Sequence, residues 1–168
     1  MRESGILIFV TVGTHNQSFE RLLKEIDRLI DEGKIRDKVL AQIGNTDYKP
    51  RNYKWFGFSD QGKFEDLCKK SDIVVTHGGA GSITTSLLLQ KPTIVVPRLK
   101  EFGEHANNHQ LQITKELEKE GRIIAVYDMD DLFTAIKRAR KARVKKIKKE
   151  QKAIRIIDKK LKLWFKSE

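Results

Sequence analysis

The chain has 168 residues, 39% of them hydrophobic, which suits one domain with a buried core and argues against a second full domain. No stretch approaches the roughly 20 apolar residues of a membrane-spanning helix, so we expect a cytosolic chain, and the single cysteine, Cys68, excludes an internal disulfide and a cysteine-ligated metal site. The formal net charge of +11 is concentrated in residues 137–166, where 15 Lys or Arg accompany Glu150 and Asp158, so the rest of the chain is nearly neutral.

The first part of the chain alternates between strand and helix patterns. Residues 6–12 form a near-continuous β-branched run, typical of a strand covered on both faces of a parallel sheet. After a loop at 13–18, apolar residues recur at helical spacing from Phe19 to Ile30, and Gly33 ends the predicted helix. Strands are predicted at 39–43 and 53–58, followed by a short helix at 63–69 with Cys68 on its apolar side as a buried structural thiol.

The alternation continues in the second half. A strand at 73–76 leads into a glycine-rich loop at 77–82 and a helix at 83–89, and a strand at 93–96 leads into a polar loop at 97–106 and a helix at 107–117. A last strand is predicted at 122–126. This order predicts an α/β fold, a doubly wound, Rossmann-like parallel sheet with right-handed crossovers. Since ligands bind beyond the carboxyl ends of such strands, the loops at 13–18, 77–82 and 97–106 should share one edge.

The end of the chain carries an acidic triplet and then a basic segment. Asp128-Met129-Asp130 could hold a metal, but an Asp just before an apolar helical pattern ordinarily caps that helix, so we predict no metal and no other cofactor. From residue 137, apolar residues between Ile147 and Trp164 repeat at helical spacing among lysines. The sequence thus predicts an α/β domain at 1–136 followed by a basic amphipathic helix at 137–168.

Two roles for this basic helix are equally supported. It suits an anionic membrane surface, where each basic residue contributes about 1 kcal/mol, and it could equally pack back on its own domain with the lysines in water. A nucleic-acid-binding role is disfavoured, because the charge lies in one helix and the aromatic residues are not interleaved with basic ones on a sheet face.

The glycine-rich loop is the first candidate site. His77-Gly78-Gly79-Ala80-Gly81-Ser82 stands between a strand and a helix, where small residues let the backbone approach a ligand and where the N–H groups and dipole of the helix favour an anion such as phosphate. The loop matches neither the Walker A motif nor the dinucleotide fingerprint. A tight turn without a ligand is the alternative interpretation.

Two further loops carry polar groups. The segment 98–110 offers more hydrogen-bonding side chains than solubility requires, which favours sugar recognition; its alternative is a solvated loop with Asn107 or Asn108 capping the next helix. The first loop could present the Gly13 backbone and the Thr14 hydroxyl to a phosphate, with His15 as a candidate proton acceptor. His15 is equally explained as a turn residue.

Four segments occur in order: 10–15 (VTVGTH), 77–82 (HGGAGS), 91–98 (KPTIVVPR) and 104–110 (EHANNHQ). Together they resemble the C-terminal domain of family 28 glycosyltransferases, above all its short stand-alone Alg13- and PssE-like members. The likeness covers about residues 6–136. It implies the C-terminal, donor-binding half of a GT-B glycosyltransferase, which binds a UDP-sugar such as UDP-GlcNAc or a UDP-hexose without a tightly bound metal.

The resemblance also implies partners and a location. A membrane-anchored Alg14- or PssD-like subunit would supply the acceptor half, and the sugar would pass with inversion to a lipid-diphosphate-linked acceptor in polysaccharide or N-glycan precursor synthesis. The chain would then be cytoplasmic and peripherally associated with the cytoplasmic face of the membrane. The alternative is a non-catalytic subunit that enhances or stabilises such a transferase.

Carried over by motif, the resemblance assigns residues to the donor. The residues fall into two sets, one for the nucleotide and phosphate and one for the sugar. Thr85 stands where the family commonly places a ribose-binding Glu; its hydroxyl can still bond the ribose but lacks the bidentate grip of a carboxylate. The nucleotide and phosphate group is Gly13, Thr14, His77, Gly78, Gly79, Ala80, Gly81, Ser82 and Thr85, and the sugar group is Arg98, Glu104, His105, Asn108, His109 and Gln110.

Overall fold

A computed structural model describes residues 5–142 together with Lys159 and Leu163. Strands and helices alternate along the described chain, as the sequence predicts. In chain order they are β1 (Leu7–Thr11), α1 (Glu20–Asp31), β2 (Lys38–Gln42), β3 (Lys54–Phe56), α2 (Gln61–Lys70), β4 (Ile73–Thr76), α3 (Ala80–Leu88), β5 (Thr93–Val95), a 3-10 turn (Lys100–Phe102), α4 (His109–Lys119), β6 (Ile124–Ala125), a second 3-10 turn (Met129–Asp131) and α5 (Leu132–Ala142).

The six strands form one parallel sheet in the order β3-β2-β1-β4-β5-β6. Val10 of β1 pairs with Ala41 on one side and with Val75 on the other. The chain therefore winds outward from β1 in one direction and from β4 in the other. The strand order reverses between β1 and β4, and a crevice at such a reversal is where doubly wound folds bind ligands.

Helices cover both faces of the sheet, so the prediction of a doubly wound fold is confirmed. Alternate residues of the strands point to opposite sides. Val10 and Val75 pack with α1 and α5 in the larger core, whereas Phe9 and Val74 pack with α2, and Val95 packs with α3 and α4. Burial on both faces explains why the strands read as continuous apolar runs in the sequence.

Two predicted helix starts were wrong, by three and by two residues. The helix predicted at 83–89 begins at Ala80, because Gly79 takes the extended N-cap conformation and the small residues after it are already helical. The helix predicted from Asn107 begins at His109, because the Asn107 side-chain oxygen accepts the His109 N–H at 3.1 Å and turns the chain before the helix. Asp128 does act as an N-cap, but it caps the 3-10 turn Met129–Asp131 before α5 and not α5 itself, since its Oδ1 accepts the Asp130 N–H at 3.0 Å.

Cys68 is the buried structural thiol that the sequence predicts. Its side chain is fully buried and packs with Phe9, Phe64 and Val74 between α2 and the sheet. Burial raises the pKa of the thiol to about 11. A thiol of this kind is inert at neutral pH.

The sequence places the end of the α/β domain at residue 136, but helix α5 continues past this residue. Ala139, three residues further along the chain, is still buried. The predicted amphipathic helix lies outside the described residues beyond Ala142, except for Lys159 and Leu163, both helical and exposed. Among the described residues, no helix has the length and apolar character needed to cross a bilayer.

Candidate functional site

A cleft of about 270 Å³ opens at the carboxyl edge of the sheet, where the strand order reverses. Its walls come from the ends of β1, β2 and β4 and from the starts of α2 and α3. Two of the three loops that the sequence placed on one edge line this cleft, and the third, at 97–106, contributes no lining residue but is bonded to the first loop through Arg98. The cleft is lined by Thr11, Gly13, Thr14, Gln42, Ser59, Asp60, Gln61, Phe64, His77, Gly79, Gly81 and Ser82.

The imidazole of His77 is wedged between two glycines. A Cβ atom at Gly13 would lie 2.5 Å from His77 Nε2, and one at Gly79 would lie 2.2 Å from the same atom. Gly13 also has a φ of +77°, which a side chain would strain. The chain therefore needs glycine at both positions to place this ring in the wall of the cleft.

His77 is neutral at physiological pH. Burial and the positive charge of nearby Arg98 lower the pKa of His77 to about 3. Its Nδ1 lies 3.3 Å from the Thr76 hydroxyl. The ring thus stands in the wall of the cleft without carrying a charge.

The start of α3 contributes an anion-binding surface. The N-cap is Gly79, whose missing side chain leaves the first-turn N–H groups uncapped by a side chain. Backbone N–H groups at the start of a helix have no acceptor within the helix and sit at its positive dipole end. Gly81 and Ser82 line the cleft in this turn, so the geometry suits a phosphate group.

Arg98 braces the loops after β1 and β5. It is only 1% exposed, and its guanidinium donates to the backbone oxygens of Gln17, Glu104 and Val12 at 2.6, 3.0 and 2.6 Å. The Phe19 ring lies 5.1 Å away. Burial lowers the pKa of Arg98 to about 10, and the Glu104 carboxylate opposes the shift. The side chain remains a cation that supplies positive potential beside the cleft.

A second buried link joins the same loop to α1. The Glu104 carboxylate is 3% exposed and accepts from Arg21 Nε at 2.6 Å and from the Leu99 N–H at 3.0 Å. Arg21 also donates to the Pro97 carbonyl at 2.8 Å. The loop after β5 is therefore held by two arginines, Arg21 of α1 and its own Arg98, which donates to the loop after β1.

Gln110 ties the loop after β4 to the end of β5. Its side-chain oxygen accepts from the backbone N–H of Gly78 and from that of Arg98, each at 3.1 Å. A Cβ atom at Gly78 would lie 2.6 Å from the Cβ of Gln110. The glycine loop and the first turn of α4 thus pack in direct contact.

Residues 7–163 match the model of the glycosyltransferase family 28 C-terminal domain. The chain belongs to this family. It is similar to the human UDP-N-acetylglucosamine transferase subunit ALG13, with 34% identity over 125 residues, and to the ALG13 subunit of Debaryomyces hansenii, with 31% identity over 132 residues. The matches cover 69% and 76% of this chain but 10% and 59% of those proteins.

A solved structure agrees with the fold. The glycotransferase of kitacinnamycin superposes with a TM-score of 0.60 at 16% identity, over 99% of this chain and 41% of that one. At this identity the likeness concerns the fold alone. The prediction that this family 28 chain has the fold of one half of a GT-B glycosyltransferase is confirmed.

The structure places the residues predicted for the family 28 site in two groups. One group lines the cleft: Gly13, Thr14, His77, Gly79, Gly81 and Ser82. The other does not line the cleft itself: His15, Gly78, Ala80, Thr85, Arg98, Glu104, His105, Asn108, His109 and Gln110. Within this second group, Arg98 and Glu104 direct their polar atoms at protein groups, so the two side chains hold loops in place.

Six lining residues were missed by sequence reasoning. Thr11 and Gln42 end β1 and β2 and share a hydrogen bond of 3.3 Å. Asp60 caps α2 by accepting the Lys63 N–H at 2.8 Å, a role that a Ser-Asp-Gln sequence before a helical pattern could have indicated. The others are Ser59, Gln61 and Phe64. Among the described residues no cluster of His, Cys, Asp or Glu is placed to hold a metal ion.

Proposed function

We propose that this chain is the donor-binding subunit of a glycosyltransferase and that it binds a UDP-sugar, UDP-GlcNAc or a UDP-hexose. The observation that carries the proposal is the cleft between β1 and β4, which joins the start of α3 to His77 and the Gly13 backbone in a chain of family 28. The ALG13 relatives, named as UDP-N-acetylglucosamine transferase subunits, favour UDP-GlcNAc.

The lining of the cleft suits a nucleoside diphosphate. The first turn of α3 offers backbone N–H groups for the diphosphate. Phe64 supplies an apolar surface, and Ser59 and Gln61 supply donors and acceptors, as a flat base with polar edges requires. Thr85 stays the proposed ribose contact, and Asn108, His109 and Gln110 stay the proposed sugar side.

The size of the cleft supports a shared site. Its volume of about 270 Å³ lies just below the range of roughly 300–1,000 Å³ typical of complete small-molecule pockets. We propose that a membrane-anchored Alg14- or PssD-like subunit closes the cleft and brings the lipid-diphosphate-linked acceptor. Transfer then proceeds with inversion at the anomeric carbon. The chain works at the cytoplasmic face of the membrane, where residues 137–166 supply positive charge.

Phe102 is the side chain that we assign to contact with this partner. It is 58% exposed on the loop after β5, and the Arg21 guanidinium lies 5.0 Å from its ring. The double brace of that loop holds the ring in place, and a pre-positioned aromatic ring is a favourable anchor for an interface. Phe102→Ala should weaken binding of the partner. Leu88→Ala is the control, because Leu88 is similarly exposed but lies at the C-terminal end of α3, and this substitution should not weaken binding.

Calorimetric titration tests donor binding. The full-length chain, alone and with its partner, is titrated with UDP, UDP-GlcNAc and UDP-galactose. No binding in either state overturns the proposal. The control is a variant whose cleft is blocked. A Cβ atom at Gly81 meets no atom within 4 Å, so both Gly81→Leu and Gly81→Ala should fold normally. Gly81→Leu should lose UDP binding, and the smaller Gly81→Ala should have a higher affinity for UDP than Gly81→Leu.

The alternative function is a non-catalytic subunit that enhances or stabilises the transferase. The same Gly81→Leu variant separates the two. If the chain binds the donor for the reaction, the complex built with this variant has lost transfer activity. If the complex stays fully active although the variant no longer binds UDP, the chain acts as an enhancer.

A further inference from the structure

Three buried polar side chains form a row across the ends of the central strands. Thr11 of β1 is in register with Gln42 of β2 on one side and with Thr76 of β4 on the other. Gln42 is 4% exposed and the two threonines are 0% exposed. Because residues two apart on a strand share a face, this polar row lies on the side of Phe9, which α2 covers. Thr11 and Gln42 also line the cleft.

Hydrogen bonds fix the orientation of the Gln42 amide. The Gly13 N–H donates to the Thr11 hydroxyl at 3.3 Å, and that hydroxyl donates to Gln42 Oε1, also at 3.3 Å. A buried hydroxyl needs an acceptor for its one proton, so the amide oxygen of Gln42 faces Thr11. The described residues provide no acceptor for Gln42 Nε2. The amide therefore offers a ligand in the cleft N–H groups that it cannot exchange for an acceptor.

Ser59 is a second lining residue with an unpaired polar group. Its Oγ is buried and has no hydrogen-bond partner in the part of the chain that the structure describes. The chain that leads from β3 to Ser59 is bonded to the chain after β2, since the Gly44 N–H donates to the Gly57 carbonyl at 3.0 Å. Buried polar groups normally have partners. The unpaired groups of Ser59 and Gln42 therefore indicate a ligand that supplies these partners.

An aromatic ring lies next to the polar row. Phe64 of α2 lines the cleft and meets Phe9 edge-on, with 5.6 Å between the ring centroids. Phe9 precedes Thr11 by two residues, about 7 Å, on the same face of β1. Proteins recognise a nucleobase by packing an aromatic ring against it and by hydrogen bonds to its edge. A neutral base also suits this lining better than a diphosphate does, because the carboxylate of Asp60 in the same cleft repels phosphate.

The strand order separates Gln42 from the proposed phosphate site. Helix α3 follows β4, and β1 lies between β4 and β2. Neighbouring strands are about 4.8 Å apart, so the ends of β2 and β4 lie roughly 10 Å apart. The lining of the cleft includes Gln42 of β2 but no residue of β5. A nucleoside diphosphate with its phosphates at the start of α3 therefore extends its base towards β2.

We propose that Gln42 selects the base of the nucleotide by donating an Nε2–H to the O4 carbonyl of uracil. This inference deepens the proposed function and rests on it. Cytosine has an amino group at position 4, which donates where the uracil oxygen accepts. With cytosine, the amide nitrogen of Gln42 and this amino group would face each other as two donors. The Ser59 hydroxyl does not discriminate, because it can accept from N3–H of uracil or donate to N3 of cytosine.

Calorimetric titration with UDP and with CDP tests the selection, on the full-length chain alone and with its partner. We expect the wild type to bind UDP at least roughly 10-fold more tightly than CDP, since the wrong base leaves donors unpaired. Gln42→Glu keeps the shape of the side chain and an oxygen for the Thr11 proton, but it replaces the N–H groups by an acceptor. This variant should bind CDP more tightly than UDP. Its added charge acts on both diphosphates alike, so the ratio of the two affinities reports on the base.

Gln42→Ala gives a check that introduces no charge. It removes the selecting group, so its affinities for UDP and CDP should become nearly equal. Circular dichroism establishes that each variant is folded, and Gln42→Ala decides the question if Gln42→Glu does not fold. The control is Gln112→Glu, which adds the same charge at an exposed position of α4 and should keep the wild-type ratio.

The other outcomes overturn the proposal at different levels. Wild-type protein that binds neither UDP nor CDP, alone or in the complex, removes the proposed function and the base selection with it. Equal affinity of the wild type for the two nucleotides removes only the base selection. Folded Gln42 variants that lose UDP and CDP affinity by the same factor would assign Gln42 to the ribose or the diphosphate. Folded variants with unchanged affinities would show that Gln42 does not contact the nucleotide.

Discussion

The side-chain oxygen of Gln110 accepts the backbone N–H of Gly78 at 3.1 Å, and a Cβ atom added at Gly78 would lie 2.6 Å from the Gln110 Cβ. The two residues are therefore matched, since the glutamine needs a glycine opposite it. The same oxygen accepts the Arg98 N–H. Because Gln110 is 5% exposed, these N–H groups have little access to water that could replace it.

Gln110→Ala should lower the free energy of unfolding by about 2–4 kcal/mol, since two buried N–H groups lose their acceptor. Urea unfolding followed by circular dichroism measures the change. Gln112→Ala, the same substitution at an exposed position of α4, should stay within about 0.5 kcal/mol of the wild type. Equal losses in the two variants would show that the Gln110 contacts contribute nothing special.

The close packing of the His77 ring between Gly13 and Gly79 predicts that alanine at either glycine lowers UDP affinity strongly. Gly13→Ala and Gly79→Ala each place a methyl group within 2.5 Å of His77 Nε2, so the ring must leave the wall of the cleft. We expect UDP affinity to fall at least roughly 10-fold in both. Gly13→Ala should also lose about 1–3 kcal/mol of stability from its left-handed backbone.

Gly57→Ala is the control for this pair, because a Cβ atom there meets no atom within 4 Å. Its UDP affinity, measured by calorimetry beside the other two, should equal that of the wild type. Unchanged affinity in Gly13→Ala and Gly79→Ala as well would mean that the position of the His77 ring is irrelevant to binding.

Glu104→Gln tests the ion pair between Arg21 and Glu104 that holds the loop after β5. The substitution keeps the shape of the side chain but removes its negative charge, which Arg21 neutralises. It also replaces one of the two carboxylate oxygens, which accept hydrogen bonds from Arg21 and from the Leu99 N–H. Breaking a buried ion pair should cost about 2–4 kcal/mol of stability. Thermal unfolding measures it, with Glu101→Gln as an exposed control on the same loop. A melting temperature equal in both variants would contradict the assignment of Glu104 to loop bracing.

Stability should depend on pH through His77. Its pKa in the folded chain is about 3, against 6.5 for the exposed side chain. Between these values the unfolded chain binds the extra proton, so stability falls as the pH drops below about 6.5, with a slope that approaches about 1.4 kcal/mol per pH unit. Above that pH this group has no effect.

The measurement is the unfolding free energy in urea at about pH 7.5 and about pH 5.5. His77→Gln cannot take up the proton, so its loss between the two pH values should be smaller than that of the wild type. His15, whose pKa is also lowered, remains in both proteins and cancels in the comparison. The same loss in both proteins would show that His77 does not titrate in this window.

The strands could be predicted because burial on both faces leaves a local signature. The segment Ile73–Thr76 was placed correctly at both ends, since an uninterrupted apolar run has few alternatives. Helix starts were harder. Gly79, Ala80 and Gly81 form a run of small residues that is typical of a loop, so the sequence does not show that α3 begins at Ala80.

In the candidate site, too, some features could be predicted from the sequence and others could not. Backbone-driven features such as Gly13 and Gly79 could be predicted, because the loss of a side chain is visible in the sequence. The partners of a polar side chain could not. Arg98 and Glu104 looked like ligand contacts, yet their bonding groups meet Gln17, Val12 and Arg21, which lie more than 80 residues away. Pairings across such distances leave no local pattern.

The Arg98 brace also bears on the order in which the molecule assembles. Its acceptors on Val12 and Gln17 are 86 and 81 residues distant, and contacts of that separation form late, because the entropy of closing the intervening chain must be overcome first. A nascent chain that ends before residue 98 holds the glycine loop but not the braced walls around it. Ligand added during refolding therefore captures finished molecules by mass action and leaves the rate of the earlier steps unchanged.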